Sequence, residues 1–359
     1  MSAQTLKEVL KSYTTEGELY EKLEDSRVRC FACGHRCVIL PGLDGICRVR
    51  YNEGGKLVVP TGYAGAIQCD PTEKKPFFHA YPGSLALTFG MLGCDYHCSY
   101  CQNWVTSQAL RDPKAVSLPI EVTPPRLVEI ARRSHARLVV SSYNEPLITS
   151  EWAVEIFKHA KPAGFVCGYV SNGNATPEVL DYIRPWVDLY KVDLKGFDDR
   201  SYRKLGGLLS NVLDTIKMVH DRGFWLEIVT LLIPGFNDSD DEIKAAADFI
   251  ASVSPNIPWH VTAFHQDYKM TGPDNTSIET LIRAAETGYS AGLNYVYAGN
   301  LPGRVGKYEN SFCPNCKATL IERYGFRVLQ NLIKAGACPD CGTSISGRWD
   351  NVAVAHNLT

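Results

Sequence analysis

No run of about 18 uncharged apolar residues occurs in this chain of 359 residues, so no membrane-spanning helix is expected. The opening segment, MSAQTLKEVLKSYTTEGELYEKL, carries charge throughout and has no apolar centre. That argues against a secretory signal and for a cytoplasmic protein. Net charge is almost absent: 37 Lys and Arg stand against 39 Asp and Glu, leaving −2. Neither that balance nor any basic stripe asks for nucleic acid or a membrane as partner. The chain also lacks the low hydrophobicity of a disordered protein, with 45% hydrophobic and 21% charged residues. At about 150 residues per domain, its length suggests two or three structural units. Cysteine is too thin for a disulfide scaffold: there are 13, an odd number, in a chain without a secretory signal. In that setting grouped thiols read as metal ligands.

The cysteines are grouped. Cys30, Cys33, Cys37 and Cys47 form one set, Cys94, Cys98 and Cys101 a second, and Cys313, Cys316, Cys338 and Cys341 a third. Cys69 and Cys167 stand alone.

Along the chain, Leu6, Val9, Leu10 and Leu19 are spaced for one face of a helix over residues 1–25. Residues 26–82 are rich in Gly, Pro and Cys and nearly aperiodic, as in a small irregular unit held by metal. Then LALTFGML (85–92), RLVVSSY (137–143), FVCGYVS (165–171), VDLYKVDL (187–194), FWLEIVTLLI (224–233), WHVTAF (259–264) and LNYVYAG (293–299) read as buried strands. Amphipathic stretches lie between them, among them 124–134, 151–160 and 240–252. The alternation implies an α/β fold with a parallel sheet, and the number of repeats favours a partial (β/α)6-type TIM barrel. In such barrels the chemistry sits at the C-terminal ends of the strands. The expected units are 1–82, 83–305 and 306–359.

Cys94-x3-Cys98-x2-Cys101, in GCDYHCSYCQNW, follows the first of these strands. Three thiolates on a short loop can hold three irons of a [4Fe–4S] cluster and leave the fourth iron open. A zinc knuckle or three core thiols are the plainer alternatives. With Tyr100 in its aromatic slot, the segment resembles the hallmark of the radical S-adenosylmethionine (SAM) superfamily. The resemblance implies that SAM chelates the open iron and is cleaved reductively to methionine and a 5′-deoxyadenosyl radical. It also implies SAM contacts at later strand ends. Asn144 and Glu145 lie in SSYNEP, where relatives carry Gly-Gly-Glu-Pro to hold the SAM amino group; here Tyr143 and Asn144 replace the glycines. Ser171 and Asn172 lie in SNG, Asp193 and Lys195 in DLKG, Ile233 and Gly235 in LLIPGFND, and Asn300 in AGNLPG. Together with DPTEKKPFFH and the four-cysteine tail, these motifs resemble the AmmeMemoRadiSam-system radical SAM enzyme, a relative of pyruvate formate-lyase activating enzymes. That resemblance names Memo-like and AMMECR-like proteins as partners, beside an electron donor such as flavodoxin or ferredoxin.

The two flanking groups read differently. CPNC and CPDCG set Pro and Gly where two knuckles must turn, so Cys313, Cys316, Cys338 and Cys341 are expected to close a structural zinc ribbon. This ribbon directly follows the last barrel strand and is expected beside the mouth of the barrel. For Cys30, Cys33, Cys37 and Cys47, zinc is the first reading and an auxiliary cluster the second, with His35 a further possible ligand. His79, Lys195 and Cys69 are the candidate catalytic residues. His79 is equally readable as structural, packing is the better reading of Cys69, Cys167 reads as core, His97 either as a hydrogen-bond donor to a cluster sulfide or as a surface residue, and Lys74 and Lys75 as a solvated pair. Three functions compete: a radical SAM enzyme acting on a protein or small molecule, a glycyl-radical activase, and a non-catalytic iron–sulfur electron carrier. A six-loop cofactor cradle is superfluous in the last.

Overall fold

The computed structural model describes residues 5–349. The ends of the expected first and third units, 1–4 and 350–359, lie outside the described residues. All seven expected strands form and join one eight-stranded sheet. In chain order its strands are β1 (Ala66–Pro71), β2 (Leu85–Gly90), β3 (Leu138–Ser141), β4 (Val166–Ser171), β5 (Leu189–Asp193), β6 (Trp225–Leu232), β7 (Trp259–Ala263) and β8 (Val296–Gly299). Each pairs with its neighbours in sequence, parallel from β2 to β8. β1 is antiparallel to β2, so the sheet begins within the stretch read as the first unit.

The strands read as continuous apolar runs because both faces are covered. Leu87, Val139, Tyr169, Tyr190, Ile228 and Val261 share one core with helix residues such as Leu127, Ile156, Val179 and Ile216. The alternate residues Ala86, Leu138, Val140 and Leu189 pack with Phe77 on the other face. Helix starts are set by short polar caps. Thr176, Ser239 and Ser277 each accept a hydrogen bond from a backbone N–H three residues on.

The N-terminal unit differs from expectation. Among the described residues of the helix expected over 1–25, only Leu6–Leu10 is helical, capped by Thr5 and Glu8. Thr14–Glu16 is a strand paired with Lys56–Pro60, and Tyr20–Lys22 a strand paired with Val28–Cys30. Thr14 and Thr15 are β-branched, and Gly17 follows with its N–H on the Leu57 carbonyl; both favour pairing over a long helix. Leu19, Val28, Ile39, Leu57 and Val59 enter the same core as the main sheet. Arg50, 1% exposed, joins the unit to helix Ser150–Ala160 through two 2.7 Å bonds to Glu151.

The C-terminal unit is also placed differently. Its antiparallel strands Ser311–Phe312, Thr319–Tyr324 and Arg327–Asn331 lie against Phe78, Tyr295 and Tyr297, at the N-terminal ends of the strands. This is the end opposite the Cys94 loop, not the mouth. After β8 the chain turns back through Gly306–Glu309, which brings the Ser311 hydroxyl within 2.6 Å of the Tyr297 oxygen. Arg323 then donates to Ser311 Oγ (2.9 Å) and the Phe78 carbonyl (2.8 Å), with Glu73 3.7 Å away.

His79 closes this seam. Its Nδ1–H donates to the Ser346 carbonyl (2.7 Å), and Nε2 accepts from the Tyr297 hydroxyl (2.5 Å); the tautomer is assigned from these partners. The Phe78 and His79 N–H groups donate to the Glu227 carboxylate, which also accepts from His260. Burial holds the His79 ring down at about 4, outweighing the pull of Glu227, with Arg323 and His260 acting in the same sense as burial. A depressed pKa stabilises the fold above the ordinary His range and is lost as pH falls toward 4. Thermal stability should therefore drop between about pH 6.5 and 4, by at most about 3 kcal/mol from this group. His79→Gln should flatten that part of the curve. Parallel profiles for the two proteins would remove His79 from the account.

Candidate active site at the C-terminal strand ends

β2 ends at Gly90, where a Cβ would lie 2.2 Å from the Ser142 carbonyl oxygen. Only glycine lets the loops after β2 and β3 meet there. The cysteine loop is then pinned by backbone contacts. Gly93 N–H donates to the Thr106 carbonyl (3.0 Å), His97 N–H to the Leu205 carbonyl (2.9 Å), and Thr106 Oγ1 to the Tyr143 carbonyl (2.8 Å). Arg111 donates to the Cys94 and Tyr96 carbonyls. Cys98 is buried, and Cys94 and Cys101 are half-buried. Tyr96 N–H points at Cys94 Sγ (3.4 Å), and Ser107 Oγ lies 3.1 Å from Cys101 Sγ. Burial pushes all three thiols up, Cys98 to about 12. Such thiols stay protonated unless a metal displaces the proton.

The loop is tied to the next strand ends by one carboxylate, Asp95. It accepts from Asn172 Nδ2 (2.7 Å) and Asn174 Nδ2 (2.9 Å). Glu145, 2% exposed, accepts from Ser171 Oγ (2.7 Å), Asn172 N–H (2.7 Å) and Leu147 N–H (3.1 Å). Burial, and then the nearby Asp95 charge, raises the Glu145 carboxyl well above the ordinary range. Asn144 Oδ1 accepts from Met91 N–H (3.1 Å). Asp193 stands between Lys191 and Lys195. Burial alone would raise its pKa, but the two ammonium groups outweigh that and hold it at about 2. Tyr100 is buried with its ring edge-on to Phe236 at 5.9 Å, which brings the loop after β6 to the cysteines.

The expected residues thus divide. Cys94, Cys98, Cys101, Tyr100, Asn144, Glu145, Ser171, Asn172, Asp193 and Lys195 all lie at the C-terminal ends of β2 to β5 or on the loops that follow. Ile233 is buried after β6; Gly235 is exposed in the same loop, as is Asn300 after β8. His79 is a correction: it sits at the opposite end of the sheet, held by backbone and tyrosine contacts. Cys69 is another. It lies on β1 with its Sγ 3.9 Å from the Ser134 carbonyl, packed against the helix-covered core. Cys167 is fully buried in that core. His97 is exposed. Lys74 is exposed, but Lys75 is not the solvated partner expected. At 4% exposure it binds Asp70 (3.0 Å) and the Tyr143 hydroxyl (3.0 Å), with the Tyr143 ring 4.7 Å below its ammonium. Tyr143 keeps a left-handed φ of 68°, strained for a non-glycine residue, at a position where the resembling family carries glycine. Lys75 was thus misread, and Asp95 and Lys191 escaped the sequence reading. Only Lys191 left a local signal, a lysine inside an apolar strand.

These features fit the radical SAM class. Residues 89–250, a little under half of the chain, match the Radical SAM superfamily model. The chain carries that domain and is similar to activases of the pyruvate formate-lyase type. It is 36% identical over 335 residues to an uncharacterised protein of Methanocaldococcus jannaschii, across 92% of this chain and 98% of that one. It is 24% identical over 184 residues to the pyruvate formate-lyase-activating enzyme of Staphylococcus aureus, across 48% of this chain and 72% of the relative. Among solved structures, a domain of the Bacteroides vulgatus pyruvate-formate lyase-activating enzyme aligns at 23% identity and TM-score 0.41, covering 45% of this chain and 98% of that one. A radical SAM methyltransferase from Sphaerobacter thermophilus aligns at 17% and 0.48, covering 61% and 68%.

The superfamily implies a [4Fe–4S] cluster and SAM, and the donor set suits them. The triplet offers three soft sulfur ligands on a buried loop, with ordered backbone around each. A cubane takes its thiolates on separate irons, so they stand farther apart than the ligands of one ion. Among the described residues, only Cys313, Cys316, Cys338 and Cys341 draw their sulfurs within 4.8 Å of one another. No helix among the described residues is long and apolar enough to cross a membrane.

Proposed function

We propose that this chain is an AmmeMemoRadiSam-type radical SAM enzyme, with a partial barrel that encloses its reaction at the Cys94 loop. When bound there, the cluster supplies one electron that cleaves SAM to methionine and a 5′-deoxyadenosyl radical. The observation that carries this reading is the Asp95–Asn172–Glu145–Ser171 network, which brings the cysteine loop and two strand ends into one polar, buried cradle. Glu145 would hold the SAM ammonium, and Asp193 with Lys195 its carboxylate side or the substrate. Tyr100, Asn144, Ile233, Gly235 and Asn300 would line the rest of the cofactor. Lys75 and Lys191, both buried, give the helix-free face of the sheet cations that could meet an anionic substrate. An electron donor such as flavodoxin or ferredoxin would reduce the protein, and Memo-like and AMMECR-like proteins would be its partners.

Anaerobically reconstituted protein with SAM and dithionite should release methionine and 5′-deoxyadenosine. Intact SAM after many hours, with a full cluster, would overturn the reading. The similarity to pyruvate formate-lyase-activating enzyme supports a second reading, glycyl-radical activation. That reading requires a protein-bound radical on a partner.

We also infer that the four tail cysteines hold one zinc. Cys313 Sγ and Cys341 Sγ are 3.5 Å apart, and Cys316 Sγ and Cys338 Sγ 3.6 Å. About 2.3 Å zinc–sulfur bonds in a tetrahedron require such separations. Because this unit packs at the strand N-terminal ends, its support is to the fold.

A further inference from the structure

We infer that Cys30, Cys33, Cys37 and Cys47 hold a second iron–sulfur cluster, seated directly against the Cys94 loop. The four thiols sit on a strand end and two tight turns that pack together. Cys30 N–H donates to the Cys37 carbonyl (3.0 Å), and Arg36, at φ 46°, donates its N–H to the Cys33 carbonyl (3.0 Å). The second turn runs from Gly45 to Arg48, with φ 64° at Arg48. A Cβ on Gly45 would be 3.6 Å from Cys37 Sγ, so this turn packs on that sulfur. Cys33 and Cys47 share one small apolar cluster with Val49 and Ile148. All four are free thiols, and Cys30, Cys33 and Cys47 are buried.

Two observations favour a polynuclear cluster over zinc, the first reading of the sequence, and a third fits any anionic thiolate centre. The first is spacing: the tail quartet is drawn to single-ion distances, and this quartet is not. The second is need. The tail depends on its own small core, whereas the N-terminal unit shares the main core through Leu19, Val28, Ile39, Leu57 and Val59. It has no call for a structural ion to supply folding energy. The third is charge. Arg50 is buried beside Cys30 and Cys47, and its Nε–H is buried without an acceptor. Its other nitrogens are taken by Glu151 and the Ile148 carbonyl. A thiolate or sulfide of an anionic cluster is the acceptor that Nε lacks.

Position gives the site a role. Arg111 donates at 2.6 Å both to the Ile46 carbonyl, next to Cys47, and to the Cys94 carbonyl. Gly34 N–H donates to the Asn174 carbonyl (2.8 Å), and Asn174 holds Asp95. Gly93, at φ 92°, brings the two backbones together: a Cβ there would stand 3.2 Å from the Cys47 carbonyl oxygen. A cluster here accepts one electron from a one-electron protein donor, which is oxidised in turn; no bond is made or broken.

The test is iron content with electron paramagnetic resonance on full-length protein reconstituted anaerobically with iron, sulfide and zinc. Wild type should hold two or four irons beyond the about four of the first cluster. The Cys94→Ala, Cys98→Ala, Cys101→Ala variant should keep those extra irons and a reduced signal that SAM does not change. A Cys30→Ser, Cys33→Ser, Cys37→Ser, Cys47→Ser variant should lose them and keep the SAM-responsive signal. Should that second variant not fold, the first decides alone. Zinc, or no metal, in its N-terminal site would overturn the inference, whether or not wild type cleaves SAM. Conversely, failure of SAM cleavage with the extra cluster present would count against the proposed activity only.

Discussion

The Cys94→Ala, Cys98→Ala, Cys101→Ala variant is expected to release no methionine or 5′-deoxyadenosine above background and to lose every SAM-responsive resonance signal. The reason is chemical: a methyl group cannot ligate iron, and the loop carries no other thiolate. The fold should survive, because the loop is held by the backbone N–H groups of Gly93 and His97 and by the Arg111 guanidinium on the Cys94 carbonyl rather than by the sulfurs. Circular dichroism checks that. Residual SAM-responsive signal in the folded variant would place the cofactor elsewhere.

Glu145→Gln should give the second largest effect. A charge-assisted hydrogen bond to an ammonium contributes about 1.5–3 kcal/mol, so SAM affinity should fall about 10- to 100-fold. Gln keeps an oxygen for the Leu147 N–H that Glu145 now caps, so iron content should be unchanged. Burial and Asp95 hold the Glu145 carboxyl up, so the wild-type carboxylate forms only as pH rises. SAM binding should therefore strengthen with rising pH, and Glu145→Gln should lose that slope. Equal affinities in a calorimetric titration would leave Glu145 as a link between strand ends and nothing more.

What could be read along the chain was what neighbouring residues decide. Strands such as Leu138–Ser141 announced themselves because both faces are buried, which leaves an apolar run. The loops that follow them stood out because polar residues end each run. Cys94, Cys98 and Cys101 stood out because they lie close in sequence on one loop, and the two tail Cys-x2-Cys pairs because each spans a single turn.

Distant contacts were not legible. Lys75 looked solvated beside Lys74, and only the fold of the preceding β1–β2 connection sets it against Asp70 and Tyr143. Asp95 carried no signal of its own in the sequence, and only the fold brings Asn172 and Asn174, nearly 80 positions on, around it. His79 carried the composition of a catalytic residue, but the returning tail made it a structural one through Ser346. The tail's own place followed from the turn after β8, whose direction no local pattern encodes. By itself the sequence determined the order of strands, the grouping of the cysteines and the likeness to the radical SAM class. The tertiary structure alone decided which end of the sheet each unit covers and which charges are buried together, because those depend on packing between segments hundreds of residues apart.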